Sequence, residues 1–222
     1  MRRLLCGLAA LIFFSACGDE LGGLDRDALM DPTSEKMNQE APASYKVRVT
    51  TNVGAFVVEV HRDWATRGAD RFYSLVMNGF YDEARFFRVI PNFMAQFGMH
   101  ADPEIGKKWV VHPQINPLSK EVALKDDPVQ QSNKRGTLTF ATSGPNSRST
   151  QLFINFNDNA HLDRMGFAPI GKVVEGMAVV DSIYSGHLEV PDQGKILMQG
   201  NEYLNQYYPE LTFIEKARVL SQ

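Results

Sequence analysis

The side chains in this 222-residue chain that could do chemistry exclude more reactions than they suggest. The five histidines, His61, His100, His112, His161 and His187, show neither H-x-H nor H-E-x-x-H spacing, so no metal site is expected. Ser143-Gly144-Pro145 is not a G-x-S-x-G elbow, and no Ser-His-Asp arrangement is suggested. Gly54 and Gly136 read as turn glycines rather than phosphate loops, and Lys107-Lys108 and Lys134-Arg135 as solvated loop charges. No cofactor is called for. Two blocks remain that interleave charge, amide and apolar groups. Residues 86–98 carry Arg88, Phe93, Met94 and Gln96, and residues 136–155 carry Gln151 and Phe153. Taken singly, Arg88 reads as a surface ion-pair partner, and Phe93, Met94 and Phe153 read as core. Only their joint spacing gives them another meaning.

The elements that must position these blocks are mostly strands. Residues 45–51 alternate, 52–54 form a turn, and 55–60 are again strand-like, which makes a hairpin. Residues 67–78 place Phe72, Leu75 and Val76 at helical spacing, and Gly79 stops the helix. Residues 86–98 return to strand character with a break at Pro91. Residues 99–135, polar and rich in Pro, Lys and Asp, read as a long surface loop. Further strands are expected at 136–141, 152–156 and 168–174, and a short helix at 175–184. In the tail, Asn201 is placed to cap a helix over 201–208 whose Tyr203, Leu204 and Tyr207 pack inward, and 213–219 reads as a closing strand. The fold class is mainly β: a closed antiparallel barrel capped by two helices, with a C-terminal extension over 191–222.

The two blocks resemble one family. F-F-R-V-I-P-N-F-M-A-Q-F-G at 86–98 is similar to the F-x-R-x-I-x-x-F-x-x-Q-x-G block of cyclophilins, the peptidyl-prolyl cis-trans isomerases. G-T-L-T-F-A-T-S-G-P-N-S-R-S-T-Q-L-F-I-N at 136–155 is similar to the family's second block, and L-D at 162–163 with I-G-K-V-V-E-G-M at 170–177 to a third. The resemblance spans about 45–184 in the family's order and spacing. It implies that Arg88 is the catalytic arginine and that Phe93, Met94, Phe153 and Leu162 receive a substrate proline ring. It implies that Gln96 and Gln151 are polar neighbours, and that Ala141, Thr142 and Ser143 line the substrate path. Thr142 stands where the family often has Asn, whose role is played by backbone. Phe167 falls near the family's pocket His or Tyr, and His161 stands where cyclosporin-sensitive members carry Trp, which implies weak cyclosporin binding. Segments 125–136, 192–196 and 200–211 are similar to those of some bacterial cyclophilins.

The function implied is rotation about X-Pro peptide bonds. Two readings stay beside it: a non-catalytic module that holds Pro-containing segments in the same groove, and a lipocalin-like carrier, which Arg88 does not fit.

Composition bounds the setting. With 44% hydrophobic and 22% charged residues the chain is globular, and a net charge of −3 offers no basic field for nucleic acid. Met1-Arg2-Arg3 precedes an uncharged apolar run over 4–16. Such a run spans about 20 Å as helix, short of a hydrocarbon core of about 30 Å, so residues 1–16 read as a signal peptide. F-S-A-C at 14–17 resembles a bacterial lipobox, with Cys17 the thiol that is lipidated. Acyl chains would then anchor the protein, and Gly18 after the cysteine leans towards the outer membrane, facing the periplasm. Residues 18–44, with seven acidic and two basic side chains and no period, read with Cys17 as a flexible acidic tether over 17–44. The domain is expected over 45–222. The partners are Pro-containing polypeptides and, through the anchor, a membrane; assistance to the folding of exported proteins follows.

Overall fold

The computed structural model describes residues 20–221. The signal peptide and Cys17 lie outside the described residues. In chain order the elements begin with β1 (Glu20–Leu21), α1 (Arg26–Met30), a 3₁₀ turn (Glu35–Asn38), β2 (Ser44–Thr51), β3 (Gly54–His61) and α2 (Thr66–Met77). There follow β4 (Arg88–Ile90), β5 (Met94–Phe97), α3 (Pro103–Trp109), α4 (Ser119–Val122), β6 (Thr137–Phe140) and β7 (Leu152–Asn155). The chain ends with a 3₁₀ helix (Ala160–Met165), β8 (Pro169–Glu175), α5 (Met177–Asp181), α6 (Gln193–Gln199), α7 (Asn201–Tyr207) and β9 (Ile214–Leu220).

One antiparallel sheet in the order β1-β9-β2-β3-β8-β6-β7-β5-β4 carries the fold. The β2–β3 hairpin has the register that its alternation demands, with Val47 opposite Val58 and Val49 opposite Phe56. Their buried faces join Phe72, Leu75 and Val76 of α2 in the main core. Gly68 lets α2 approach the sheet, because a Cβ there would meet Ile170 Cγ2 at 2.7 Å. The first turn of α2 is capped from afar: the buried Asp127 carboxylate accepts from the backbone N–H of Arg67 and Gly68 at 3.0 and 2.9 Å.

Several sequence expectations are corrected. The barrel is not closed by hydrogen bonds, since the sheet ends at β1 and β4 and these two strands do not pair. Phe86 N–H donates to Thr212 O and Ile214 N–H to Ala84 O, so the chain ahead of β4 meets the start of β9 and the residues just ahead of it without β4 itself pairing there. The two capping helices are seven α-helices among the described residues.

Residues 20–44, read as flexible tether, are packed against the body. Leu29 and Met37 are buried in the main core, Trp109 Nε1 donates to Leu29 O at 2.8 Å, and Glu20 and Leu21 pair with β9. Too few apolar residues occur here to make a period, but each plugs a surface built by α2 and α3, elements remote in sequence. Gly79, with φ at +73°, both ends the α2 turn and admits this segment, for a Cβ would meet the backbone of Leu24 at 2.7 Å.

Residues 99–135 are not a surface loop throughout. They contain α3 and α4, with Ile105, Trp109 and Val122 buried. Lys107 and Lys108 sit in the last turn of α3, where cations favour the helix dipole. In the tail, Tyr203 and Leu204 are buried as expected, but Tyr207 is 58% exposed. Asn201 is the first residue of α7 instead of its cap, and its side chain donates to Glu83 O at 2.9 Å. β9 lies between β1 and β2, inside the sheet.

Candidate active site

The adjacent strands β4, β5 and β7 build the site, and register decides which side chains share a face. Arg88 lies opposite Gln96, and Gln96 opposite Phe153. Ile90 lies opposite Met94 one pleat further along. Since side chains alternate along a strand, Arg88, Ile90, Met94, Gln96 and Phe153 all stand on one side of the sheet. The break expected at Pro91 is the β4–β5 turn, in which Phe93 N–H donates to Ile90 O at 3.0 Å. Phe93 thereby reaches over the same face.

Met94, Phe153 and Leu162 form a buried apolar cluster separate from the main core, joined by Ile90, Phe93, Ala141 and Phe167. The Phe153 and Phe167 rings meet edge to face with centroids 5.8 Å apart. His161 is exposed and stacks on Phe93 at 6.1 Å. Thr142 and Ser143 stand in the turn that follows Ala141, tied to Ser147: the Thr142 and Ser147 hydroxyls are 2.8 Å apart, and Ser143 N–H donates to Ser147 Oγ. The residues singled out from sequence are therefore close together, except that His161 and Ser143 are at the margin.

The polar side of the recess is a chain of hydrogen bonds. Gln96 Nε2 donates to Gln151 Oε1 at 2.8 Å. Gln96 Oε1 accepts from Arg88 Nη1 at 3.3 Å, and the same nitrogen lies 3.9 Å from Met94 Sδ. The Arg88 guanidinium thus lies along the wall formed by Met94 and Gln96, half-buried, at the edge of the apolar recess.

Sequence reading missed the support behind this wall. Asn133 Nδ2 donates to Asp163 Oδ1 and to Phe167 O, both at 2.8 Å. Asn159 Nδ2 donates to Phe93 O at 3.0 Å and to Asn155 Oδ1 at 2.7 Å. These amides hold the backbone of two recess residues. Burial alone would raise the Asp163 carboxyl, but hydrogen bonds from Ser132 and Asn133 outweigh it and hold the group below the usual carboxylate range. Asp163 falls in the L-D motif at 162–163 and Asn155 at the end of the block 136–155, but Asn133 and Asn159 lie outside the strands and carry no period, so no pattern gave these residues a supporting role.

A cavity of about 330 Å³ adjoins the recess across Gln96 and Gln151. Thr142, Trp109 and His100 line it, and α6 supplies Ile196 and Leu197. His100 is buried, with its Nδ1 accepting from Asp102 N–H at 2.9 Å. Burial pushes its pKa down to about 4, so the ring is neutral.

Comparison with known proteins agrees with the geometry. The sequence model of the cyclophilin type peptidyl-prolyl cis-trans isomerases matches residues 46–199. The chain belongs to the cyclophilin family. It is similar to a peptidyl-prolyl cis-trans isomerase of Acinetobacter baylyi, with 37% identity over 169 residues that cover 71% of this chain and 85% of that one. It is also similar to a peptidyl-prolyl cis-trans isomerase-like 2 protein of Cryptococcus neoformans, with 34% identity over 71% of this chain, although it spans only 26% of that longer protein. Among solved structures, a Cryptosporidium parvum cyclophilin type isomerase shares the fold with a TM-score of 0.55 at 18% identity, covering 81% of this chain and 99% of that one. The match to the family stops at 199, short of α7 and β9. In this cyclophilin β9 nevertheless pairs along most of β2.

Proposed function

We propose that this cyclophilin isomerises X-Pro bonds by seating the proline ring on Phe93, Met94, Phe153 and Leu162 and presenting Arg88 to the prolyl nitrogen. The observation that carries the reading is the Arg88 guanidinium held by Gln96 and Met94 at the lip of that apolar recess.

Rotation about the amide crosses a barrier of about 20 kcal/mol because twisting destroys resonance. No bond breaks and no proton moves overall. The prolyl nitrogen becomes pyramidal as its lone pair localises, and it then accepts a hydrogen bond that the planar amide accepts poorly. A guanidinium stays charged and presents a rigid fork, so it stabilises the twisted amide more than either planar form. An acceleration of about 10⁵ requires roughly 7 kcal/mol of such preference. One charge-assisted hydrogen bond contributes about 1.5–3 kcal/mol, and exclusion of water by the aromatic wall supplies the rest. Ala141, Thr142 and Ser143 line the path of the polypeptide, with Gln151 beside Gln96 and Phe167 closing the far wall.

The lipobox at 14–17 supports a periplasmic, lipid-anchored isomerase that assists exported proteins, with the outer membrane favoured by Gly18. Since β1 begins at Glu20, an anchor on Cys17 would be separated from the folded body by a few residues, a reach of about 10 Å. Such an enzyme would work close to the membrane surface instead of at the end of a long leash. His161 in place of Trp supports weak cyclosporin binding.

The test is a proline-isomerisation assay on residues 18–222 with Arg88→Ala as control. Activity falling at least 100-fold in the variant is expected. Peptide binding without rate enhancement by the unaltered protein would favour a holding module and reject catalysis. Mass spectrometry of the native N-terminus reads the lipid.

A further inference from the structure

The segment between α5 and α6 brings a carboxylate to Arg88 that neither the fold nor the apolar recess requires. Val89 N–H, on the outer edge of β4, donates to Leu188 O at 2.8 Å, so this segment docks one residue from Arg88. Two successive turns shape it, Leu188 N–H donating to Ser185 O and Val190 N–H to His187 O. Leu188 adopts a φ of +49°, a left-handed conformation that costs energy in a residue with a branched side chain and persists only when neighbours enforce it. His187 is the anchor: its ring meets Tyr184 and Tyr208 edge-on at 5.3 and 5.0 Å, and its Nε2 lies 3.2 Å from a Glu210 carboxylate oxygen. The segment is therefore pinned from three sides.

The result is that Arg88 Nε donates to Glu189 Oε2 at 2.9 Å, while Nη1 donates to Gln96. Two of the three guanidinium nitrogens are fixed from opposite sides. Among the described residues Nη2 has no hydrogen-bond partner. A planar fork held at two points has little rotational freedom left, and Nη2 is the donor it presents. We propose that Glu189 is the positioning residue for Arg88, holding the guanidinium plane so that Nη2 faces the rotating amide. The proposal rests on Arg88 being the catalytic group.

Glu189 is 63% exposed, so the pair is an exposed one and its effect is modest. It should appear as about a two- to fivefold change in rate. Without the second clamp Arg88 would sample orientations that bind substrate but do not meet the prolyl nitrogen, which lowers kcat and leaves KM in place.

The experiment compares Glu189→Ala, Glu189→Gln and the exposed control Glu202→Gln in residues 18–222, using a short X-Pro peptide and NMR exchange to obtain kcat and KM. Expected are a kcat about two- to fivefold lower for Glu189→Ala at unchanged KM and unchanged melting temperature, recovery of most of it by Glu189→Gln, whose amide oxygen still accepts from Nε, and no change for Glu202→Gln. In an Arg88→Ala background, which leaves Glu189 no cation at that position to hold, Glu189→Ala should have no further effect on the residual activity. Unchanged or higher activity in Glu189→Ala, or an equal loss in both backgrounds, overturns the proposal. If Arg88→Ala is itself as active as the unaltered chain, the failure lies with the catalytic reading of Arg88 and not with the clamp.

Discussion

Burial of His100 makes the stability of this protein depend on pH in a calculable way. The ring is 7% exposed, and burial holds its pKa at about 4 against an ordinary value of 6.5. The groups that face it act more weakly: Asp102, through its backbone and its carboxylate, and more distantly Asp82 raise the value, while Arg26 lowers it. Between the two pKa values the unfolded chain binds a proton that the folded chain refuses. Stability is therefore complete above about pH 6.5 and is lost as pH falls towards 4. At pH 5 the linkage is worth roughly 2 kcal/mol relative to pH 7, because each tenfold difference in proton affinity between the two states contributes about 1.4 kcal/mol. His100→Asn removes the titration while offering an oxygen where Nδ1 accepts from Asp102 N–H. Urea unfolding followed by the fluorescence of Trp64 and Trp109 should show the unaltered protein losing about 2 kcal/mol more between pH 7 and pH 5 than the variant. Both proteins keep the same carboxylates, so their acid sensitivity cancels in the comparison. Equal losses in the two proteins would refute the reasoning, because they would mean that His100 takes up its proton without unfolding.

Other outcomes follow from the same structure. Leu29→Ala, in the segment that reads as a tether, should cost about 2–5 kcal/mol in urea unfolding while activity per folded molecule is retained, since the side chain is fully buried in the main core, a cluster separate from that of the recess. Deleting 191–222 removes β9 from between β1 and β2 and should abolish cooperative thermal unfolding; a truncation that melts like the full chain would contradict the sheet order. His161→Trp should tighten cyclosporin binding, measured by titration calorimetry, by at least tenfold while changing isomerase activity little.

The family blocks at 86–98 and 136–155 were legible because the constraint they obey is local. A strand, a tight turn and a second strand deliver Arg88, Phe93, Met94 and Gln96 to one face, and because these lie within a dozen residues their spacing could be matched to the family's block. The hairpin at 45–60 and the helix at 67–78 were legible for the same reason: their apolar positions repeat at 2 and at 3.6 residues. One local signal was present and passed over, Asp102 followed by Pro103. The first caps α3 by accepting from Glu104 N–H, and the second occupies the start of the helix.

The remainder depended on tertiary structure. Leu29 and Met37 have no period because the surface they plug is made by α2 and by Trp109, far along the chain. Whether the sheet closes depends on how twist accumulates over nine strands, which alternation within any one strand does not record. Glu189 meets Arg88 across 101 positions because Leu188 docks on the open edge of β4. The sequence by itself supplied the residue types of the recess, because they stand in blocks whose spacing resembles that of one family, while the pairing of β5 with β7 that brings Phe153 to Gln96 is long-range. Only the tertiary structure decided what holds the guanidinium in place and how far the folded body extends towards the N-terminus, because contacts between distant segments depend on shape and leave no repeating mark on either one.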